Sequence, residues 1–280
     1  MPNDKYNSVW VSHSSMGDFL KCPRAYYLKN IYKDPKTKRK MGIVTPALSL
    51  GSAVHEVVEG LGNYKAEDRN IIPVFDQFEK VWQRFSGKKG GFLNLNEEND
   101  AKERGLAMIK RVKENMEPLL LKTVKLKEGK NGMPPNYFLS EEDNIILCGK
   151  IDWLQYSEKD DGVHVLDFKT GKNEENEDSL QLPIYQLLLN NLQKRKVNGA
   201  SYWYLDKDDK PKLVELPDIN ESFDKVIKVA KSVKKARENK EFDCPRGEKG
   251  CFACQPFEKI LKGEAEYVGP GEWQDLYITL

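Results

Sequence analysis

The sequence predicts an α/β fold: a mixed β-sheet flanked by helices, preceded by a largely helical N-terminal part. Three observations predict it. Apolar residues recur at a period near 3.6 through residues 1–122, the runs between 136 and 169 turn β-branched and aromatic, and helix and strand alternate thereafter. With 39% hydrophobic and 10% aromatic residues, the 280-residue chain can close a sizeable core, which excludes wholesale disorder. The length suits one elaborated domain, read as 1–122 (mainly helical), 123–206 (central core) and 207–280 (a basic helix and a cysteine cluster). No apolar run approaches the ~20 residues of a membrane helix. The N-terminal MPNDKYNSVWVSHSS lacks the charged-then-apolar order of a leader, so a cytoplasmic protein is expected.

In chain order, 14–32 places Met16, Phe19, Leu20, Ala25, Tyr26 and Leu28 on a helical period, with Ser14 or Ser15 as N-cap. The stretch 47–64 repeats the pattern through Leu50, Val54, Val57, Val58 and Leu61. Amphipathic stretches near 70–87 and 97–122 follow, broken by the glycines of 87–91. NYFLS, NIILCGKIDWLQY (144–156) and VHVLDFK (163–169) read as strands. Residues 179–194 are helical, SYWYL (201–205) is a strand, and 220–240 is a lysine-rich helix.

The turn SEKDDG (157–162) makes 144–156 and 163–169 a hairpin. With Tyr156 opposite Val163, Asp152 falls opposite Asp167 and Lys150 opposite Lys169, sharing one face. Ile151, Trp153, Leu166 and Phe168 form the other face, apolar, where His164 also falls. Two carboxylates ~5 Å apart repel by roughly 3 kcal/mol at an effective dielectric of 20. A divalent ion relieves that repulsion, and hard oxygen ligands suit magnesium or manganese. A nearby lysine would complete a hydrolytic set. A surface hairpin with solvated Asp and Lys carries the same residues, and D-x-K is a common string.

GKIDW (149–153) followed by VLDFKTGK (165–172) resembles the core of the PD-(D/E)XK nuclease superfamily. More narrowly, the chain resembles the RecB-type branch, which includes the CRISPR-associated RecB-like exonucleases. SHSSMGDFLKCPRAYYL (12–28), LGSAVHEVVE (50–59) and SLQLPIY (179–185) match further motifs of that branch, in family order. The resemblance implies a PD-(D/E)XK core with an N-terminal helical insertion and a cysteine-bound C-terminal clasp. It also implies a divalent-metal-dependent DNA nuclease, an exonuclease acting on single strands or DNA ends. His55, Asp152 and Asp167 would be metal ligands, with the Phe168 backbone carbonyl as a further one. Lys169 would be the catalytic lysine, and Gln181 and Tyr185, four apart on one helix face, would stand near the scissile strand. Partner proteins of recombination, replication or CRISPR adaptation are compatible with it. The alternative is a catalytically quiet DNA-binding subunit that keeps fold and metal sites as scaffold.

An odd count of five cysteines in a chain without an export signal points to reduced thiols, and three of the five fall within 244–254. Cys251 and Cys254 form C-x-x-C, so both thiolates can reach one metal or cluster. The RecB-type resemblance implies a 4Fe–4S cluster, with Cys22 as first ligand. The branch's last cysteine should stand where this chain has Ile260 and Leu261. Cys244 is the candidate for that place, and zinc or free thiols stay open. Cys148 reads as a small buried hydrophobe.

The formal net charge is +1, from 45 basic and 44 acidic residues, but the charges segregate. KDPKTKRK (33–40) is basic, and a helix presenting Lys225, Lys228, Lys231, Lys234 and Lys235 suits phosphate contact, or a solvated face. NEENEDS (173–179) gathers acids just after D-x-K.

Overall fold

The computed structural model describes residues 7–129 and 132–279; the first six, part of the stretch read for a leader, lie outside. The chain opens with β1 (Val9–Val11) and α1 (His13–Lys21). Ser12 caps α1, in a reciprocal box with Ser15, so the helix starts before the serines expected to cap it and His13 is its first residue. The helix stops at Cys22, extended at φ −167°, which in turn caps α2 (Pro23–Tyr26). β2 (Lys40–Ile43) follows. Next comes α3 (Pro46–Gly60), entered through Thr45 as N-cap with Pro46 at its first position. α4 (Val74–Trp82) and α5 (Leu95–Glu114) complete the helical half.

The strands β3 (Asn136–Ser140), β4 (Ile145–Cys148), β5 (Trp153–Ser157) and β6 (Gly162–Lys169) come next. They are followed by α6 (Gln181–Leu192), β7 (Lys196–Tyr204), β8 (Lys212–Val214) and α7 (Ile219–Asn239). The chain closes with α8 (Gln255–Leu261), β9 (Glu266–Pro270) and β10 (Gln274–Ile278). Among the described residues the strands form three sheets, ordered β5-β6-β7-β8, β1-β4-β3 and β2-β10-β9. The first is mixed: β5–β6 and β7–β8 are antiparallel, β6–β7 parallel.

The predicted register holds where the hairpin exists: Tyr156 pairs with Val163, Leu154 with Val165 and Trp153 with Leu166. It does not extend to Asp152 and Lys150. The segment read as one strand is two, because the chain leaves the ladder at 149–152 and β4 pairs with β1 and β3 instead. Gly149 permits the crossing close to α6, where a Cβ would lie 2.9 Å from Leu188 Cδ1.

The two faces of the four-stranded sheet bury different layers. Trp153, Leu166, Phe168 and Trp203 pack beneath α3, α4 and α5, against Leu50, Val54, Val57, Phe78 and Met108. Leu154, Val163, Val165 and Ala200 pack beneath α6, against Tyr185 and Leu189. Ile151, expected with Trp153, joins this second layer, since the bend reverses its side. The opposite flank of α6 (Ile184, Leu187, Leu188) meets α7 and the β1-β4-β3 sheet. Thus α6 is a wall between two sheets, and its first turn stands over the end of β6. No helix among the described residues is long and apolar enough to cross a membrane.

Candidate active site

Period two along β6 sends Leu166 and Phe168 into the α3 layer and Asp167 toward α6. Asp167 is 1% exposed. Its Oδ1 accepts from Gln181 Nε2 at 2.8 Å and from the Tyr185 hydroxyl at 3.0 Å, both from the first turns of α6. Gln181 Nε2 also donates to the Tyr185 oxygen at 3.1 Å, so the i, i+4 pair acts as one clamp. Burial and the charge of Asp167 raise the Tyr185 phenol well above its ordinary value, which keeps it a neutral donor.

Asp167 Oδ2 is different. It receives no well-aligned hydrogen bond, and its neighbour is the Lys169 ammonium at 2.8 Å. Lys169 is itself enclosed, 15% exposed, and sits over the Tyr202 ring at 4.7 Å. It also pairs with Glu175 at 2.9 Å and donates to Gln181 Oε1. Burial lowers its affinity for the proton, but Asp167 and Glu175 outweigh burial and raise it above the ordinary ammonium value. Lys169 is therefore a fixed cation at neutral pH, unable to serve as a base.

Asp152 stands just before β5, where its Oδ2 accepts the Phe168 N–H at 3.2 Å. That bond substitutes for the ladder pairing expected between Asp152 and Asp167, and it keeps the two carboxylates at one end of the sheet. Burial, then the charge of Asp167, push the Asp152 carboxyl up to about 7. From α3, His55 brings Nδ1 to 3.5 Å from Asp152 Oδ2 and 3.0 Å from Glu59 Oε1. Burial lowers its pKa, yet the Glu59 hydrogen bond and the charges of Asp152, Glu59 and Asp167 outweigh it and raise the value overall. Lys150, expected opposite Lys169, instead pairs with Glu59 at 2.5 Å.

Ligand atoms of His55, Glu59 and Asp152 all lie within 4.8 Å of one another. The donors are carboxylate oxygens and one imidazole, the set that suits a hard divalent cation. The under-satisfied Asp167 Oδ2 and the raised Asp152 carboxyl are what uncompensated charge in such a site produces, so the residues fit the metal. Two clefts flank the group. One of about 540 Å³ is lined by Glu59, Lys150, Asp152 and Trp153; another of about 930 Å³ by Glu175, Tyr202, Tyr204 and Lys225.

This chain matches the PD-(D/E)XK nuclease superfamily over residues 10–256. It belongs to that superfamily. No curated protein matches the chain. The PD-(D/E)XK match spans the helical N-terminal half, the hairpin and the cysteines.

Of the residues expected at the PD-(D/E)XK site, His55, Asp152, Asp167, Lys169, Gln181 and Tyr185 converge; the Phe168 amide, rather than its carbonyl, makes the contact with Asp152. Glu59 and Glu175 went unread in the sequence. Glu59 lies four residues after His55, a helical spacing that marks it, whereas Glu175 reaches Lys169 from a loop that no periodicity describes. His13, given no role, places Nε2 3.4 Å from Ser179 Oγ, behind that loop.

The thiols of Cys22, Cys244, Cys251 and Cys254 gather at the far end of α7, all four sulfurs within 4.8 Å of one another. Gathered in this way, they can hold a metal. Burial pushes the Cys22 thiol up to about 12. Burial also raises Cys251, but hydrogen bonds from the Cys254 and Ala253 amides and neighbouring thiols bring it down to about 7. Cys148 stands apart, its Sγ donating to Val11 O at 3.5 Å.

The basic helix is α7. Lys231 and Lys234 lie 2.9 and 3.9 Å from Asp143, and Lys225 3.9 Å from Asp178. Lys228 and Lys235 are exposed, without an acidic partner among the described residues. In the 33–40 block, Arg39 is absorbed by structure: Nε bonds the buried Asp275 at 2.9 Å, tying β2 to β10.

Proposed function

We propose that this protein is a divalent-metal-dependent deoxyribonuclease working on single-stranded DNA or DNA ends. The observation that carries the reading is the enclosed Asp167–Lys169 pair at the end of β6, with Asp152 and His55 brought beside it from two other elements. His55, Asp152, Asp167 and the Phe168 carbonyl would hold magnesium or manganese, with Glu59 at hand. Bound there, the cation supplies Lewis acidity toward a phosphoryl oxygen and lowers the pKa of water.

The chain's own groups divide the remaining work. Lys169, held charged by Asp167 and Glu175, offsets the negative charge that develops on the phosphate. Gln181 and Tyr185 fix the Asp167 carboxylate from one side, leaving Oδ2 toward Lys169. Asp152 must lose its proton to bind a cation, and a carboxyl poised near 7 does so at neutral pH. Exposed Lys228 and Lys235, with Lys225, Lys231 and Lys234 along α7, would contact the phosphate backbone without reading sequence. The preference for ends rests on the RecB-type resemblance of residues 12–28, 50–59 and 179–185. The cytoplasm, where thiols stay reduced, is the compartment this reading expects.

The test uses labelled linear and circular DNA, single- and double-stranded, with magnesium or manganese, comparing the protein with Lys169→Ala. Degradation of linear single strands, sparing of circles, and an inactive variant that still binds DNA are expected. DNA binding without cleavage by the unaltered protein would turn the reading to a quiet scaffold. Cleavage that survives the substitution would remove Lys169 from the mechanism.

A further inference from the structure

The two ends of the chain meet at the four cysteines, and the spacing of their sulfurs selects the group they hold. Cys22 caps α2, Cys244 follows α7, and Cys251 and Cys254 lead into α8. Each sulfur lies within 4.8 Å of the other three, and Cys251 Sγ is 3.8 Å from Cys254 Sγ. A tetrahedral ion with metal–sulfur bonds of about 2.3 Å spaces its thiolates about 3.8 Å apart. A four-iron cluster binds each thiolate at a different corner and spreads the sulfurs to roughly 6 Å. Even with every edge at the 4.8 Å limit, the centre of the tetrad is only about 2.9 Å from each sulfur. That space admits one ion and excludes a body of four irons and four sulfides.

The surrounding backbone is fitted to the same compact tetrad. Besides the amides at Cys251, N–H groups donate to the other three sulfurs: Ala25 to Cys22 at 3.5 Å, Arg246 to Cys244 at 3.5 Å, and Cys251 to Cys254 at 3.2 Å. Such bonds disperse thiolate charge. Gly250, at φ +69°, turns the chain so tightly that a Cβ there would lie 3.1 Å from Cys254 Sγ. Each of these donors lies two or three residues from the sulfur it serves, so each segment presets its own thiolate, and Cys22 is fully buried with Cys251 and Cys254 in one cluster.

We propose that Cys22, Cys244, Cys251 and Cys254 bind a single zinc ion as a closed structural clasp, in place of the 4Fe–4S cluster that the RecB-type resemblance implies. Four thiolates leave no open position for substrate or water, the hallmark of a structural zinc site. The proposal stands independently of the nuclease reading.

The experiment is metal and acid-labile sulfide analysis of the full chain, purified anaerobically from cells supplied with both iron and zinc, with X-ray absorption at the zinc edge. The expected result is a colourless protein whose zinc is bound by four sulfurs at about 2.3 Å. That zinc survives in His55→Ala, whose substitution lies in the other metal site, and in Cys148→Ser. It is lost from Cys244→Ser, which leaves three thiolates. Cobalt exchanged into the unaltered protein gives tetrahedral thiolate bands, a readout needing no variant to fold. Brown protein carrying iron and labile sulfide overturns the proposal, as do iron without sulfide, zinc with nitrogen or oxygen ligands, and the absence of bound metal.

Discussion

Replacing Asp152 with asparagine is expected to stabilise the metal-free protein while abolishing cleavage. In the folded state the carboxyl is pushed up to about 7, by burial first and by Asp167 second; in the unfolded chain it titrates near its ordinary 3.8. A raised carboxyl stabilises the fold fully below pH 3.8 and loses that contribution as pH rises through about 7. At about 1.4 kcal/mol per pH unit, that gap amounts to about 4 kcal/mol. Asparagine carries no charge to bury, and its carbonyl can still accept the Phe168 amide. His55 would lose an anionic neighbour, which returns part of the gain. The expected net gain is about 2–4 kcal/mol at pH 8 and less than half of that at pH 5. Urea unfolding in EDTA at the two pH values measures it. Manganese stabilises the unaltered protein more than the variant, since the carboxylates attract the ion. Equal stability at pH 8, or a gain that does not change with pH, would refute the electrostatic account of the site.

Tyr185→Phe removes the hydroxyl that donates to Asp167 Oδ1 at 3.0 Å; a bond to a charged group contributes about 1.5–3 kcal/mol, so kcat is expected to fall about 10- to 100-fold, with DNA affinity from binding titrations unchanged. The double substitution Lys228→Ala with Lys235→Ala removes two exposed cations of α7; it is expected to weaken DNA binding and lower the slope of log affinity against log salt by about 1.4–1.8, with kcat preserved at saturating DNA. Gly105→Ala would place a Cβ 2.5 Å from Phe78 Cζ and 3.0 Å from Leu50 Cδ1; overpacking of about 1–3 kcal/mol outweighs the better helix propensity of alanine, and a lower urea midpoint reports it.

The hairpin register was legible because the turn 157–162 and the parity of the flanking residues act locally, and the observed pairs from Trp153 to Ser157 follow it. The break at 149–152 was not. It depends on Gly149 passing Leu188 of a helix some forty residues later. The short strands β1 and β2 escaped reading for the same reason: three and four residues carry little period, and their partners β4 and β10 are remote; β9 and β10, five residues each, also went unread. Within the site, the residues matching the family motif lie together at one end of the sheet, and Glu59 could have been found on the same helix face as His55. Glu175 could not, since the acid-rich loop gives no sign of which carboxylate turns inward. Spacing identified Cys251 and Cys254 as a pair and offered Cys244 for the fourth place, and in three dimensions Cys244 stands beside Cys22 and that pair.

The parallel pairing of β2 with β10 carries a consequence for synthesis. Lys40 to Ile43 wait for Gln274 to Tyr277 as hydrogen-bond partners, and Arg39 waits for Asp275. A ribosome makes its product from the N-terminus onward, so β2 stays without this partner until residues 274–277 have been added. Contacts so distant along the chain close slowly and leave apolar strands uncovered meanwhile. Met41 and Leu28, buried together in the folded protein, are in the nascent chain an early, unshielded patch, because Phe257 and Tyr277, which cover them, follow much later.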